Sequence, residues 1–118
     1  MMKVNIVKIT DRGVGNKERL HISVLAATNL VYYLVFSTPV VGSDQIRARP
    51  NHAFWFPDTQ VLAGDTVILY TKPGENSSQR RSDGGFNRFF YWGLDKTIWH
   101  DTRETAVLLE ISDWQTVT

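Results

Sequence analysis

The 118-residue sequence contains no cysteine, which excludes disulfides, thiolate metal ligands and a cysteine nucleophile. It also has little excess charge: 13 Lys and Arg against 12 Asp and Glu give a formal net charge of +1 with histidine neutral. Such a chain has no long-range attraction toward nucleic acid or an anionic membrane. Partners must therefore be recognised by local patches.

Long apolar segments are also missing. The longest, Leu30–Phe36, has seven residues, whereas a membrane-spanning helix needs about 20. The N-terminal residues alternate apolar and polar types, and they lack the continuous apolar stretch of about 7–15 residues found in secretory signals. We therefore expect one soluble domain over residues 1–118, cytoplasmic by default and with no membrane as partner.

No amphipathic helical pattern of convincing length is present; short apolar runs separated by turn residues occur instead. Leu20, Ile22 and Val24 alternate with polar residues, which is the period of a half-buried strand. The Leu30–Phe36 run predicts a central strand covered on both faces. Further strands are predicted at 4–9, 54–56, 66–70, 89–92 and 105–111. In the first of them the apolar phase slips between Ile6 and Val7, which indicates either a bulge or a strand buried on both faces. This series predicts an all-β sandwich or barrel.

Several of these pieces follow a recognisable order. Phe56-Pro57 stops one strand, and Leu62-Ala63-Gly64 precedes the next. An aromatic strand ending at Trp92, then Trp99, and Thr105–Leu109 complete the series. In this order the chain resembles the lamin tail domain, found in nuclear lamins and in many bacterial proteins. The resemblance covers most of the chain and is strongest from Phe54 onward.

The resemblance implies a fold and a class of function. The fold is an immunoglobulin-like β-sandwich of two packed, mostly antiparallel sheets. The function is that of a non-enzymatic binding module, with a protein as the expected partner. Because relatives occur beside nucleases and in chromatin-bound lamins, a weak DNA-contacting accessory domain is the alternative.

Residue types suited to catalysis or metal binding are scattered. His21, His52 and His100 lie far apart, and only His100-Asp101 places two such residues side by side. No phosphate-loop, calcium-loop or nucleophile-elbow pattern is present. We therefore predict no enzyme activity, no cofactor and no metal site. A small hydrolase with an unrecognised site stays open, and it would need a cleft that holds His21 or His100 against a carboxylate.

The polar segment from Lys72 to Arg88 is the best candidate binding site. It is too long for an ordinary hairpin loop, and it combines cations with aromatic rings, as contacts to a phosphate backbone require. The alternative interpretation is a merely solvated loop. The expected binding residues are Lys72, Arg80, Arg81, Phe86 and Arg88 of this segment, together with Trp55.

Trp55 alternates with Phe54 and Phe56, so one face of their strand is a candidate for exposure. An exposed aromatic residue there could bind a sugar ring or a partner protein, and core packing is the alternative. A sandwich also has free edges. The mixed segment Val40–Pro50, predicted to be a loop or short edge strand around Ile46, is where another chain, including a second copy, could add a strand.

Overall fold

The structure, a computed structural model, describes residues 1–42, 45–46 and 49–118. Within these ranges it is all-β, with one short 3-10 turn at Leu30–Tyr32. The strands are β1 (Val4–Thr10), β2 (Arg19–Val24), β3 (Thr28–Asn29), β4 (Tyr33–Pro39), β5 (Asn51–Trp55), β6 (Gln60–Val61), β7 (Thr66–Tyr70), β8 (Ser77–Arg80), β9 (Phe86–Tyr91) and β10 (Glu104–Glu110). None of the helical segments described could span a bilayer.

Two sheets and one short ladder account for these strands. The large sheet has the order β1-β2-β7-β9-β8, and the small sheet has the order β10-β4-β5; β3 pairs with β6. Among the described strand pairs only β7 and β9 run parallel, and the others are antiparallel. The two sheets pack on one another, which is consistent with a β-sandwich.

The core lies between the two sheets and follows the alternation of their strands. Leu20, Ile22 and Val24 point inward from β2, as the period of two predicted, and Tyr33 and Val35 face them from β4. The core residues are Val4, Leu20, Ile22, Val24, Leu30, Tyr33, Val35, Phe56, Val61, Val67, Leu69, Phe90, Ile98 and Trp99. Trp92 and Leu108 pack against this cluster and are partly buried.

The apolar run Leu30–Phe36 differs from its prediction. Its first three residues form the 3-10 turn, because the Asn29 side chain accepts a hydrogen bond from the Val31 backbone N–H at 2.9 Å. The strand β4 begins only at Tyr33, and its outward residues Leu34 and Phe36 are partly exposed. The prediction that both faces of this strand are covered is therefore wrong at Leu34 and Phe36, which are only partly buried.

The irregular N-terminal strand is confirmed. The register of β1 against β2 shifts between Ile6 and Lys8, and the bulge leaves Val7 exposed. In the Val40–Pro50 segment, Val40 and Ile46 form an isolated antiparallel bridge. The parts of that prediction at residues 43–44 and 47–48 lie outside the described residues.

The prediction of one long loop from Lys72 to Arg88 is wrong in its middle. Residues 77–80 form β8, which pairs antiparallel with β9 from Ser77↔Phe89 to Arg80↔Phe86. The sequence of β8, Ser-Ser-Gln-Arg, lacks apolar alternation because all four residues are exposed at the edge of the large sheet. What joins the two strands is a turn over residues 81–85.

Candidate functional site

The β8–β9 ribbon, residues 77–91, carries most of the predicted binding residues. Residues that face one another in an antiparallel pair point to the same side. Arg80 is opposite Phe86, and Ser78 is opposite Arg88. These four side chains therefore share one face of the ribbon. Phe90, two residues after Arg88 in β9, lies on the same face and is buried.

The side chain of Arg81 forms hydrogen bonds within the turn that joins β8 to β9 and with the residues beside that turn. Its guanidinium donates hydrogen bonds to the Thr66 hydroxyl (3.3 Å), the Phe86 carbonyl (3.1 Å) and the Asn87 side-chain oxygen (3.0 Å). It also donates to the Gly64 carbonyl. Arg81 thus ties the turn to the start of β7, and its charge is directed into the protein.

Arg88 is held from two sides. Its guanidinium carbon lies 4.7 Å from the centre of the Phe86 ring. Its Nε lies 3.8 Å from Oδ2 of Asp65, and that nitrogen is buried without a hydrogen bond. Asp65 is itself buried and accepts hydrogen bonds from the backbone N–H groups of Leu62 (3.0 Å) and Phe86 (3.1 Å). The carboxylate therefore fixes both the turn before β7 and the position of Arg88.

Arg80 differs from both neighbouring arginines. It is exposed, and within the described parts of the chain its side chain makes no hydrogen bond or ion pair. Its charge is therefore available to solvent or to a ligand on the same face as Arg88.

Lys72 lies elsewhere. Its Nζ is 4.8 Å from the centre of the Tyr70 ring, and the Tyr70 and Tyr91 rings stack with their centres 5.4 Å apart. Tyr91 is five residues along β9 from Phe86, which is about 16 Å at the usual rise of a strand. The structure therefore does not bring Lys72 together with Arg80 and Arg88.

Trp55 lies on the outer face of the small sheet. It is exposed, its Nε1 donates to the Val31 carbonyl at 2.7 Å, and its ring contacts that of Trp114 edge to face at 5.0 Å. Register places four apolar residues on the same face. We call this the apolar face: Trp55, Leu34, Phe36, Val107 and Leu109.

The apolar face and the free edge beside it were not among the sites predicted from the sequence. Leu34, Phe36, Val107 and Leu109 occur in apolar strands, where a core position and an outward position look alike. The available signal was that apolar residues occupy both the odd-numbered and the even-numbered positions of β4 and β10, so that each strand has apolar side chains on both of its faces. Such strands are either covered on both faces or exposed on one.

Strand β10 pairs with β4 along all seven residues without a register shift, and its other side is unpaired in the described sheets. It faces the edge of β1 across a shallow depression of about 200 Å³. Arg12 bridges this gap, and its Nη1 donates to the carbonyls of Trp99 (3.2 Å) and Glu104 (3.4 Å).

A buried carboxylate supports this flank from behind. Glu18 is fully buried and accepts hydrogen bonds from the backbone N–H groups of Gly13 (2.9 Å), Ile98 (2.9 Å) and Trp99 (3.1 Å). These contacts join the loop after β1 to the segment before β10. With its oxygens satisfied by backbone donors, Glu18 has a structural role.

One depression gathers residue types that the hydrolase alternative requires. About 190 Å³ in volume, it is lined by His52, His100, Glu104 and Ser37 among others. The Ser37 hydroxyl donates to Glu104 at 3.3 Å, while neither histidine hydrogen-bonds to the serine or to the carboxylate in the described structure. The described residues hold no group of three or more His, Asp or Glu able to bind a metal ion.

His21 is separate from this depression. It lies on the outer face of the large sheet, and its Nε2 is buried without a hydrogen-bond partner. Burial lowers the pKa of His21, and the positive charges of Arg19 and Lys8 lower it further. No carboxylate is hydrogen-bonded to it among the residues described, so it lacks the partner that a general base needs.

Comparison with known proteins finds no family model, no curated protein and no solved structure that matches this chain. The resemblance to the lamin tail domain therefore stays a prediction.

Proposed function

We propose that this chain is a non-enzymatic protein-interaction module, an immunoglobulin-like sandwich that binds an extended segment of a partner protein along the free edge of β10. The observation that carries the proposal is that β10 pairs only with β4 in the described sheets, and that its other side is unpaired beyond the Glu104 carbonyl, which accepts a hydrogen bond from Arg12. An unpaired strand offers a row of backbone N–H and C=O groups to another chain.

The other sheet edges in the described structure carry protection. β1 has its bulge and the cation Lys8, and β8 has four exposed polar residues including Arg80. β5 pairs irregularly with β4, and His52 within it has a φ of +53°. Bulges, short strands and charges are the usual means of blocking edge pairing. β10 has none of these between its two end residues, since its central sequence is Thr-Ala-Val-Leu-Leu.

The apolar face extends the same surface. Val107 and Leu109 of β10 lie beside Phe36 and Leu34 of β4. A strand added along β10 would place every second side chain next to them. Backbone hydrogen bonds would then supply affinity, and the apolar face would select the alternate side chains of the partner.

Charge at the ends of β10 indicates the chemistry of the partner. Glu104 and Glu110 begin and end the strand, so an apolar segment with Lys or Arg at both ends complements it. Antiparallel self-pairing centred on Val107 would instead place Glu104 opposite Glu110 of the second copy, which is repulsive. The apolar face measures roughly 300 Å² from strand spacing and rise, well below the ~800 Å² per partner of a stable complex. A short segment fits these features better than a second folded copy.

Selection of displayed random peptides, each about 10 residues long to match an edge strand with its flanks, tests the proposal. We expect enrichment of alternating apolar residues with basic ends. The Val107→Lys variant should weaken binding of a selected peptide by about ten-fold or more, because it adds a charge to the edge and the apolar face. Ser77→Lys, the same residue placed on the opposite edge, is the matched control and should bind normally.

Binding of the selected peptides can be read by fluorescence polarisation and located by amide hydrogen exchange. Slower exchange along 104–110 on binding would support the proposal. Equal affinity for Val107→Lys and the parent chain, or protection confined to another strand, would overturn it. A concentration-dependent dimer in sedimentation that Val107→Lys abolishes would also overturn it, by making a second copy the occupant.

A further inference from the structure

We propose that the protein has a second binding site, for a compact phosphate group, on the face of the β8–β9 ribbon that carries Arg88, Arg80 and Ser78. This site goes beyond the proposed function and lies on the opposite flank of the sandwich from β10. Its ligand class is a phosphate monoester, and the source of that group is either a phosphorylated side chain or a free phosphate compound.

Arg88 is the centre of the site because its position is already fixed. The Phe86 ring supports one side of the guanidinium, and Asp65 lies 3.8 Å from its Nε. Arg88 nevertheless donates no hydrogen bond within the described parts of the chain. A guanidinium has five N–H donors in a planar fork that matches the oxygens of phosphate. Holding it in place beforehand reduces the entropy lost when it binds.

Arg80 and Ser78 complete the face. Ser78 is directly opposite Arg88, and Arg80 is its diagonal neighbour across the ribbon. Diagonal side chains are about 7–8 Å apart, which long side chains span. One phosphate can therefore receive both guanidinium groups and the serine hydroxyl. A phosphate monoester carries a charge of −1.5 to −2 near neutral pH; it would meet the positive charge of Arg80 and that of Arg88, which Asp65 offsets in part at 3.8 Å.

A concavity beside Arg88 and Ser78 has room for a phosphate group. Its volume is about 280 Å³, and it lies between the turn at residues 57–59 and the ribbon. Arg88 and Ser78 line it, together with Asn76 and Thr59. These residues add donors and acceptors without further positive charge.

The carboxylates nearby favour a compact anion over a nucleic-acid strand. Asp58 lines the same concavity, and Asp83 pairs with Arg81 at 3.2 Å in the adjoining turn. A strand with a charge at every nucleotide would meet these carboxylates on either side of the two arginines, and the chain has a net charge of only +1. Single-stranded nucleic acid binds along a continuous cationic groove, which this face does not provide.

Titration of the ¹⁵N-labelled chain followed by NMR tests the site. The probes are inorganic phosphate, a glycine-serine peptide with one phosphoserine, the same peptide without phosphate, and a single-stranded oligonucleotide. We expect both phosphate probes to shift the amide signals of β8 and β9. Tighter binding of the phosphopeptide would assign the source to a modified side chain, and equal binding would assign it to free phosphate.

Arg80→Gln is the decisive variant because its side chain is exposed and has no structural partner. It should weaken phosphate binding by about ten-fold, the value of a charge-assisted contact, with an unchanged melting temperature. Arg88→Lys keeps the charge but loses the fork, and we expect a loss of similar size. Arg103→Gln removes an exposed arginine at the β10 flank and should leave binding unchanged.

Three results would overturn the proposal. One is equal phosphate affinity of Arg80→Gln, Arg103→Gln and the parent chain. Another is phosphate-induced shifts located outside β8 and β9. The third is tighter binding of the oligonucleotide than of the phosphopeptide, which would show that the face binds a polyanion. None of these results depends on whether β10 binds a peptide.

Discussion

At the β10 flank the edge is unpaired and its neighbours are apolar, whereas at the β8–β9 flank the edge residues are polar, Arg80 is exposed and Arg88 is partly buried. The first flank offers backbone groups, which every partner segment can match, so its selectivity must come from apolar fit and end charges. The second offers side chains, which must be held in place to be selective. The two proposals thus place two kinds of recognition on opposite flanks of one sandwich.

Each flank is anchored by one buried carboxylate, and the two anchors differ. Glu18 accepts hydrogen bonds from three backbone N–H groups, and no cation is hydrogen-bonded to it within the described structure. Asp65 accepts two backbone N–H groups and lies beside Arg88. The first carboxylate serves the fold alone, and the second also positions a side chain that is open to a ligand.

The largest expected effect comes from the anchor behind β10. Glu18→Gln can keep its amide oxygen at the Gly13 and Trp99 N–H groups, but its N–H₂ then faces the Ile98 N–H, and both of these donors are left unpaired in the fully buried interior. We expect the free energy of unfolding to fall by ~3 kcal/mol, since each buried unpaired group costs about 1–3 kcal/mol. Urea unfolding followed by tryptophan fluorescence measures this, with the exposed Glu75→Gln as a matched control. A loss no larger than that of the control would contradict the role of Glu18.

Asp65→Asn should cost less. The asparagine oxygen can still accept one of the two backbone N–H groups, so we expect a loss of ~2 kcal/mol by the same reasoning. The same urea experiment ranks the two anchors. If Asp65→Asn destabilised the chain more than Glu18→Gln, the view that the β10 flank depends more strongly on its carboxylate would be wrong.

Substitutions at two glycines test how tightly the segment between β7 and β8 is packed. A Cβ on Gly74 would lie 2.5 Å from the Tyr91 ring, whereas a Cβ on Gly15 would meet nothing within 4 Å. Gly74→Ala should therefore destabilise the chain by about 1–2 kcal/mol through overpacking. Gly15→Ala should be neutral or slightly stabilising, because it restricts the unfolded chain. Equal melting temperatures for the two variants would show that the segment before β8 adjusts freely.

Much of the sandwich could be predicted from local patterns. The alternation of Leu20, Ile22 and Val24 located β2, and the phase slip after Ile6 located the irregularity in β1, which the structure shows to be a bulge. These features depend on neighbours within one strand. The strand β8 could not be found this way, since its polar residues at an exposed edge resemble a loop.

The two flanks needed information from distant parts of the chain. Arg80 and Arg81 are adjacent in sequence, yet only Arg81 is engaged, because Thr66 and Asn87 lie within reach of its side of the strand. Likewise, nothing local distinguishes Val107 from a core valine. Whether Val107 is covered depends on which other segments pack on the small sheet, and no pattern within β10 encodes that.

The smallest effect concerns pH, at the outer face of the large sheet between the two flanks. Burial lowers the pKa of His21 below its usual value of 6.5, with Arg19 and Lys8 contributing in the same direction. The unfolded chain then binds a proton more readily than the folded one, so stability is complete above pH 6.5 and is lost as pH falls through the lowered pKa. The urea midpoint should therefore decrease between about pH 7.5 and about pH 5.5, and His21→Gln should reduce that decrease. Ser23→Ala, the next outward position on β2, is the control that keeps the parent slope. If the urea midpoint of His21→Gln fell with pH as much as that of the parent chain, groups other than His21 would cause the pH dependence.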